Sequence, residues 1–120
     1  MTPATVIVVE RRPRWTPELQ RQFVDEDVRV RSVRSTADVL EAVERAPKCV
    51  VLLDFDSAPA ECLQFLGRWI GLVPFLSIVV VGSQRTASLE WVVRELGALE
   101  FFADVSAGED IVRLCRRQWT

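Results

Sequence analysis

Cys49-Val50-Val51-Leu52-Leu53-Asp54-Phe55-Asp56 decides the reading of this chain. From Cys49 to Leu53 no charged side chain interrupts the run, and the run ends on an aspartate. A continuous apolar run of this length fits a strand buried on both faces, as in a parallel sheet covered by helices. Open α/β sheets bind their ligands beyond the carboxyl ends of the strands, so Asp54 stands where chemistry is expected. The question it raises is whether Asp54 is a working acid or the remnant of one.

Outward from this strand the chain alternates. Thr5-Val6-Ile7-Val8-Val9 reads as a first buried strand ending at Glu10, and a basic loop, Arg11-Arg12-Pro13-Arg14, follows. A first helix is expected from Pro17 to Val24, with Thr16 as its cap and Leu19, Phe23 and Val24 on one side. Val28 to Val33 alternates apolar with polar, the pattern of a half-exposed edge strand, and its arginines discourage edge-to-edge pairing. A second helix starts at Ser35 or Thr36, carries Val39, Leu40 and Val43 inward, and ends at Pro47. Pro59 opens a third, with Cys62, Leu63, Leu66, Trp69 and Ile70 on its apolar side and a break from Gly71 to Pro74. A fourth strand (Phe75–Val81), a helix (Ser88–Leu96) stopped by Gly97, a short strand (Leu99–Ala103) and a last helix opening at Ala107 complete the pattern. Five alternations predict an α/β fold: a doubly wound five-stranded parallel sheet with five helices, in the flavodoxin-like order 2-1-3-4-5.

Composition narrows the function. With 120 residues the chain is expected to form a single domain, residues 1–120. The net charge of −2 gives no global field towards nucleic acid or an anionic membrane. No apolar run approaches the roughly 20 residues of a membrane span, and the N-terminus lacks a secretion signal, so a cytoplasmic location is expected. Three scattered cysteines read as small hydrophobes in a reducing compartment. Histidine and tyrosine are absent, which removes the usual general base and the commonest metal ligand. The arginines at 11, 12, 14 and 21 read as a solvated basic loop. No glycine-rich phosphate loop follows the first strand, which argues against a flavodoxin-like enzyme. Trp15, in a loop, and Trp119, near the end, are expected to be partly exposed.

The predicted order makes strands one and three neighbours. Their ends collect Glu10, Arg11, Asp54 and Asp56, with Gly82 and Ser83 from strand four and Asp104 from strand five. With these residues in place, the whole chain resembles the receiver domain (CheY-like) of bacterial two-component response regulators. Gly97-Ala98-Leu99-Glu100-Phe101-Phe102 is similar to that family's Gly-Ala-x-Asp-Tyr-Leu segment and sets the register of the last third. The resemblance places Asp54 at the phosphoacceptor position. It implies an acidic pair after strand one that holds Mg²⁺ with that aspartate, a Ser/Thr after strand four and a lysine after strand five.

The departures weigh more than the matches. The acidic pair reads Glu10-Arg11, the Ser/Thr position falls on Gly82 with Ser83 one residue late, and the lysine position is Asp104. Phosphoryl transfer depends on positioning and on neutralisation of charge by metal and cations, and each change works against that. Arg11 is expected to pair with Asp54 or Asp104 in place of a metal. The expected protein is a degenerate receiver, a pseudo-receiver: not an enzyme, without a resident cofactor, acting through protein contacts. The alternative is an atypical receiver phosphorylated on Asp54, with Mg²⁺ held by Glu10 and Asp54. The resemblance also implies a partner or homodimer face on helix four, strand five and helix five, where Phe101 is the aromatic switch position. Trp91, Arg94, Arg113 and Arg117 are the candidates for that face, Trp and Arg being enriched at binding hot spots. Trp91 has a second reading as core, because it sits among apolar residues at helical spacing. No nucleic-acid contact is expected of this domain itself; any such contact would require a separate output domain.

Overall fold

The structure is a computed structural model that describes residues 3–69, 76–103 and 108–119. Its five strands are β1 (Ala4–Val9), β2 (Val28–Val33), β3 (Cys49–Asp54), β4 (Ser77–Val81) and β5 (Glu100–Phe102). Its helices are α1 (Trp15–Gln22), α2 (Val39–Glu44), α3 (Pro59–Trp69), α4 (Glu90–Glu95) and α5 (Gly108–Trp119). The strands form one parallel sheet in the order β2-β1-β3-β4-β5, as expected.

Strand alternation sorts the core into two layers. Ile7, Val9, Val51, Leu53, Ile78 and Val80 face one side, where Val39, Leu66 and Val93 from α2, α3 and α4 cover them. Val6, Val8, Val50, Leu52, Val79 and Val81 face the other, under Leu19 of α1 and Ile111 and Cys115 of α5. That double burial is why the strands read as unbroken apolar runs. Edge strand β2 is only half covered and alternates. Cys62 lies in the first layer and Cys115 in the second, and burial pushes each thiol up to about 12. Cys49 is half-buried.

Several local expectations are corrected. α1 begins at Trp15 rather than Pro17, which carries Trp15 into the core at 3% exposure instead of leaving it partly exposed. It also ends at Gln22, leaving Val24 exposed. α2 and α4 each open with a 3-10 turn, Thr36–Asp38 and Ala87–Leu89. Such turns advance 120° per residue rather than 100°, which shifts the inward stripe. Ala42 is thus fully inward on α2, with Leu40 and Val43 only partly buried, and on α4 Val93 takes the core while Trp91 turns out. On α3, Phe65 joins Cys62 and Leu66. β4 and β5 are shorter than expected. Gly97, at φ 106°, ends the α4 segment in a conformation that favours glycine. Ile70, Phe75, the break from 71 to 74, Asp104 and Ala107 lie outside the described residues, as does the side chain of Trp69. Among the described residues no helix is long and apolar enough to cross a membrane.

Candidate functional site

The register sets the rim of the site. Val9 pairs with Leu53, so Glu10 and Asp54 leave the sheet side by side, and Gly82 follows Val81, the partner of Asp54. Glu10 extends the ladder by donating its N–H to the Val33 carbonyl at 3.0 Å. Successive side chains there point to opposite faces. Glu10 accordingly turns to the α1 side and Arg11 to the α3 side.

Glu10 is 2% exposed. Its Oε1 accepts the amides of Arg14 (3.1 Å) and Trp15 (2.9 Å), and its Oε2 accepts the amide (2.9 Å) and hydroxyl (2.7 Å) of Thr16. The first amides of a helix lack partners within it and favour negative charge. Glu10 supplies both from outside the helix, so Thr16 donates to Glu10 rather than capping α1 itself. This explains the early start of α1 and the burial of Trp15.

Arg11 does not pair with Asp54. Its guanidinium lies 3.6 Å from Glu61 Oε2 on α3, on an exposed rim. Glu61 Oε1 meanwhile accepts the Thr36 amide and hydroxyl, each at 2.9 Å, and caps the turn before α2 in place of Ser35. The Thr36 donors, with Arg11 beyond them, hold Glu61 below the usual carboxylate range.

Asp54 is half-buried, and its Oδ2 accepts the Ser57 hydroxyl at 2.6 Å. Burial pushes its carboxyl above the usual range, with Glu10 and Asp56 adding to the rise, while Ser57 and the positive charge of Arg14 pull it down. A cleft of about 10 Å³ remains between Glu10, Arg11, Arg34, Asp54, Ser57 and Glu61, space for about one water.

On the β4 side, a Cβ on Gly82 would stand 2.7 Å from Phe101 Cζ and closer still to Thr86 Oγ1. The missing side chain is the space these two groups use. Thr86 is buried, accepts the Ser83 amide at 3.0 Å, and donates its hydroxyl to Asp56 Oδ1 at 2.6 Å. The Ser83 hydroxyl is spent in its own loop, on the Arg85 amide at 3.1 Å. Phe101 points inward at 5% exposure and packs edge-on against Phe55, with centroids 6.1 Å apart.

Of the face candidates, Trp91 is 68% exposed, which removes its core reading. Arg94 bridges Glu90 of its own helix (2.8 Å) and Glu100 of β5. Arg113 pairs with Asp110 at 3.3 Å, and Arg117 is exposed. Sequence reasoning missed Ser57, Thr86, Arg14 and Glu61. Ser57 carried a signal, a hydroxyl three residues after the aspartate, and so did Thr86, three residues after Ser83. The Glu61–Thr36 contact spans 25 residues and had no local one.

No protein-family model and no curated protein matches this sequence. Solved structures do. The receiver domain of the TMAO respiratory system response regulator TorR superposes with a TM-score of 0.80 at 22% identity, over 98% of each chain. The N-terminal signal receiver domain of a two-component response regulator from Bacteroides fragilis gives 0.82 at 17%, again over 98% of both. A CheY-like protein, TadZ, from Pseudomonas aeruginosa gives 0.80 at 17%, over 96% of this chain and 98% of that one. The chain therefore has the CheY-like receiver fold along nearly its whole length.

Proposed function

We propose that this chain is a signalling module of the receiver type whose phosphorylation site has been rebuilt as fixed internal contacts, and which acts in the cytoplasm by binding proteins rather than by catalysis. The observation that carries this reading is Glu10. Both its oxygens are committed to the first turn of α1, so the one acid remaining of the expected pair has no open position for a cation. Mg²⁺ demands octahedral oxygen ligation and keeps several waters. The residues as arranged do not fit it: Arg14 already lends positive charge to Asp54, and the cleft holds about one water. Gly82 presents no hydroxyl to a phosphoryl group, and the hydroxyl beside Gly82, that of Thr86, is turned to Asp56.

Binding falls to the face of α4, β5 and α5, to a protein partner or a second copy. Trp91 supports this: a large ring left in water on a helix whose neighbours are charged is a hot-spot candidate. Arg94, fixed to both α4 and β5, holds the two elements in one geometry. Phe101 is kept inward by the space at Gly82, which favours a face that does not depend on a phosphoryl signal.

One observation favours the alternative, phosphorylation of Asp54: its Oδ1 accepts no hydrogen bond among the described residues. Titration with Mg²⁺ and beryllofluoride, followed by tryptophan fluorescence and amide NMR shifts, separates the two. The expected result is the same weak response in wild type and Asp54→Asn. A saturable change lost in Asp54→Asn overturns the pseudo-receiver reading.

A further inference from the structure

A second surface lies on the opposite edge of the molecule from α4 and β5. β2 closes the sheet, pairing with β1 on one side and with nothing among the described residues on the other. Arg29 and Arg31 are exposed along it, and Arg34 follows at its end. These three form no ion pair among the described residues, whereas Arg45 pairs with Glu41 of its own helix.

The hollows along this edge share walls. One of about 320 Å³ is lined by Arg29, Arg31 and Arg45. A second, of about 360 Å³, begins at the same Arg31 and runs to Arg34, with Asp38 and Glu41 on its α2 wall. Arg34 then joins Arg11 at the mouth of the Asp54 cleft. The excess of positive charge is concentrated at the first hollow, where Arg29, Arg31 and Arg45 are the only charged lining residues, on a chain whose net charge is −2.

We propose that the β2 edge is a docking site for an extended acidic segment of a protein partner, which adds to the sheet as a sixth strand. Two features support this occupant. An edge strand offers unpaired amides and carbonyls, the template for strand addition. Residues on one face of a strand repeat about every 6.6 Å, so Arg29 and Arg31 match Asp or Glu at alternate positions of an added strand. A second copy of this chain is disfavoured, because antiparallel pairing centred on Val30 sets Arg29 against Arg31. Single-stranded nucleic acid is disfavoured as well. Its binding sites combine positive charge with stacking aromatics, and these hollows are lined by Thr5, Val30, Ser32, Val33, Ala42 and Ala46 between the charged groups.

The test uses the full chain and a labelled peptide of alternating Val and Glu, about eight residues long to span β2 at about 3.3 Å per residue. Its comparators are the same peptide with Lys for Glu, the acidic peptide N-methylated at alternate residues, and an oligothymidylate of similar length. The expected result is saturable binding of the acidic peptide that weakens with salt, with amide shifts centred on residues 28–34. Arg29→Glu with Arg31→Glu should lower that affinity roughly tenfold or more without changing the fold, since both side chains are exposed. Loss of binding on N-methylation supports strand addition. No binding of the acidic peptide, shifts away from β2, full binding by the N-methylated peptide, or tighter binding of the oligothymidylate each overturns the proposal.

Discussion

The ends of β1 and β3 carry the same functional group in the same plane of the sheet and treat it in opposite ways. Glu10 is buried and receives four hydrogen bonds, three of them from backbone amides, those of Trp15 and Thr16 in α1 and of Arg14 just before it. Asp54 is half-buried, receives one, and is pushed towards its protonated form. Position at a strand end therefore does not decide whether a carboxylate is structural or available. The donors that the next segment brings to it decide. β1 is followed by a helix start, which is a cluster of amides in need of an acceptor. β3 is followed by a short turn, Phe55–Ser57, which offers a single hydroxyl.

The largest effect is expected from breaking the better-supplied end. Glu10→Ala leaves the first amides of α1 and the Thr16 hydroxyl without their acceptor and should cost roughly 2–3 kcal/mol. Urea denaturation reads the loss, and hydrogen exchange should show fastest opening at residues 14–16. A loss below about 0.5 kcal/mol would mean that water replaces Glu10 at no cost. Next comes Gly82→Ala, which forces a methyl group against the Phe101 ring. Overpacking of this kind costs about 1–3 kcal/mol unless the ring leaves. Phe101 aromatic NMR shifts distinguish a strained inward ring from one driven outward, and an unchanged spectrum with unchanged stability contradicts the close approach.

The smallest effect has the opposite sign. Because the Asp54 carboxyl is raised in the fold, protonation favours the folded state. The group's contribution is fully present below its unfolded value, near 3.8, and is lost as pH rises through the raised folded value. Asp54→Asn removes the charge while keeping an oxygen for Ser57. It should stabilise the protein modestly at neutral pH, with the gain shrinking as pH falls towards 4. Matched urea midpoints across that range measure it. A destabilised variant at pH 7 would place Asp54 with Glu10 as a structural acid.

The same contrast explains how much the sequence could reveal. The strands were legible because burial on both faces leaves an unbroken apolar run, as at Val50 to Leu53, and the edge place of β2 because a strand covered on one side alternates; their order followed from the few topologies that right-handed crossovers allow. The helices were legible as amphipathic segments, but their starts were not. Where α1 begins depends on a carboxylate several residues upstream, and the phase of α4 depends on a 3-10 turn that no local pattern announced. For these two reasons Trp15 went inside against expectation, and Trp91 kept its place on the outer face and lost only its core reading. The site was legible as a set of positions. Its wiring was not, because Arg11 could reach several carboxylates and the choice of Glu61 follows from the alternation of side chains at the end of β1.

The two buried thiols make the layered core measurable from within. Cys62 lies on the inner face of α3 and Cys115 on that of α5, on opposite sides of the sheet, and with each thiol pushed up to about 12 by burial neither offers appreciable thiolate while covered. Alkylation therefore has to wait for the covering layer to lift. The two cysteines act as separate clocks, one for each face, and the ratio of their rates tells whether the molecule comes apart as a whole or sheds one side first.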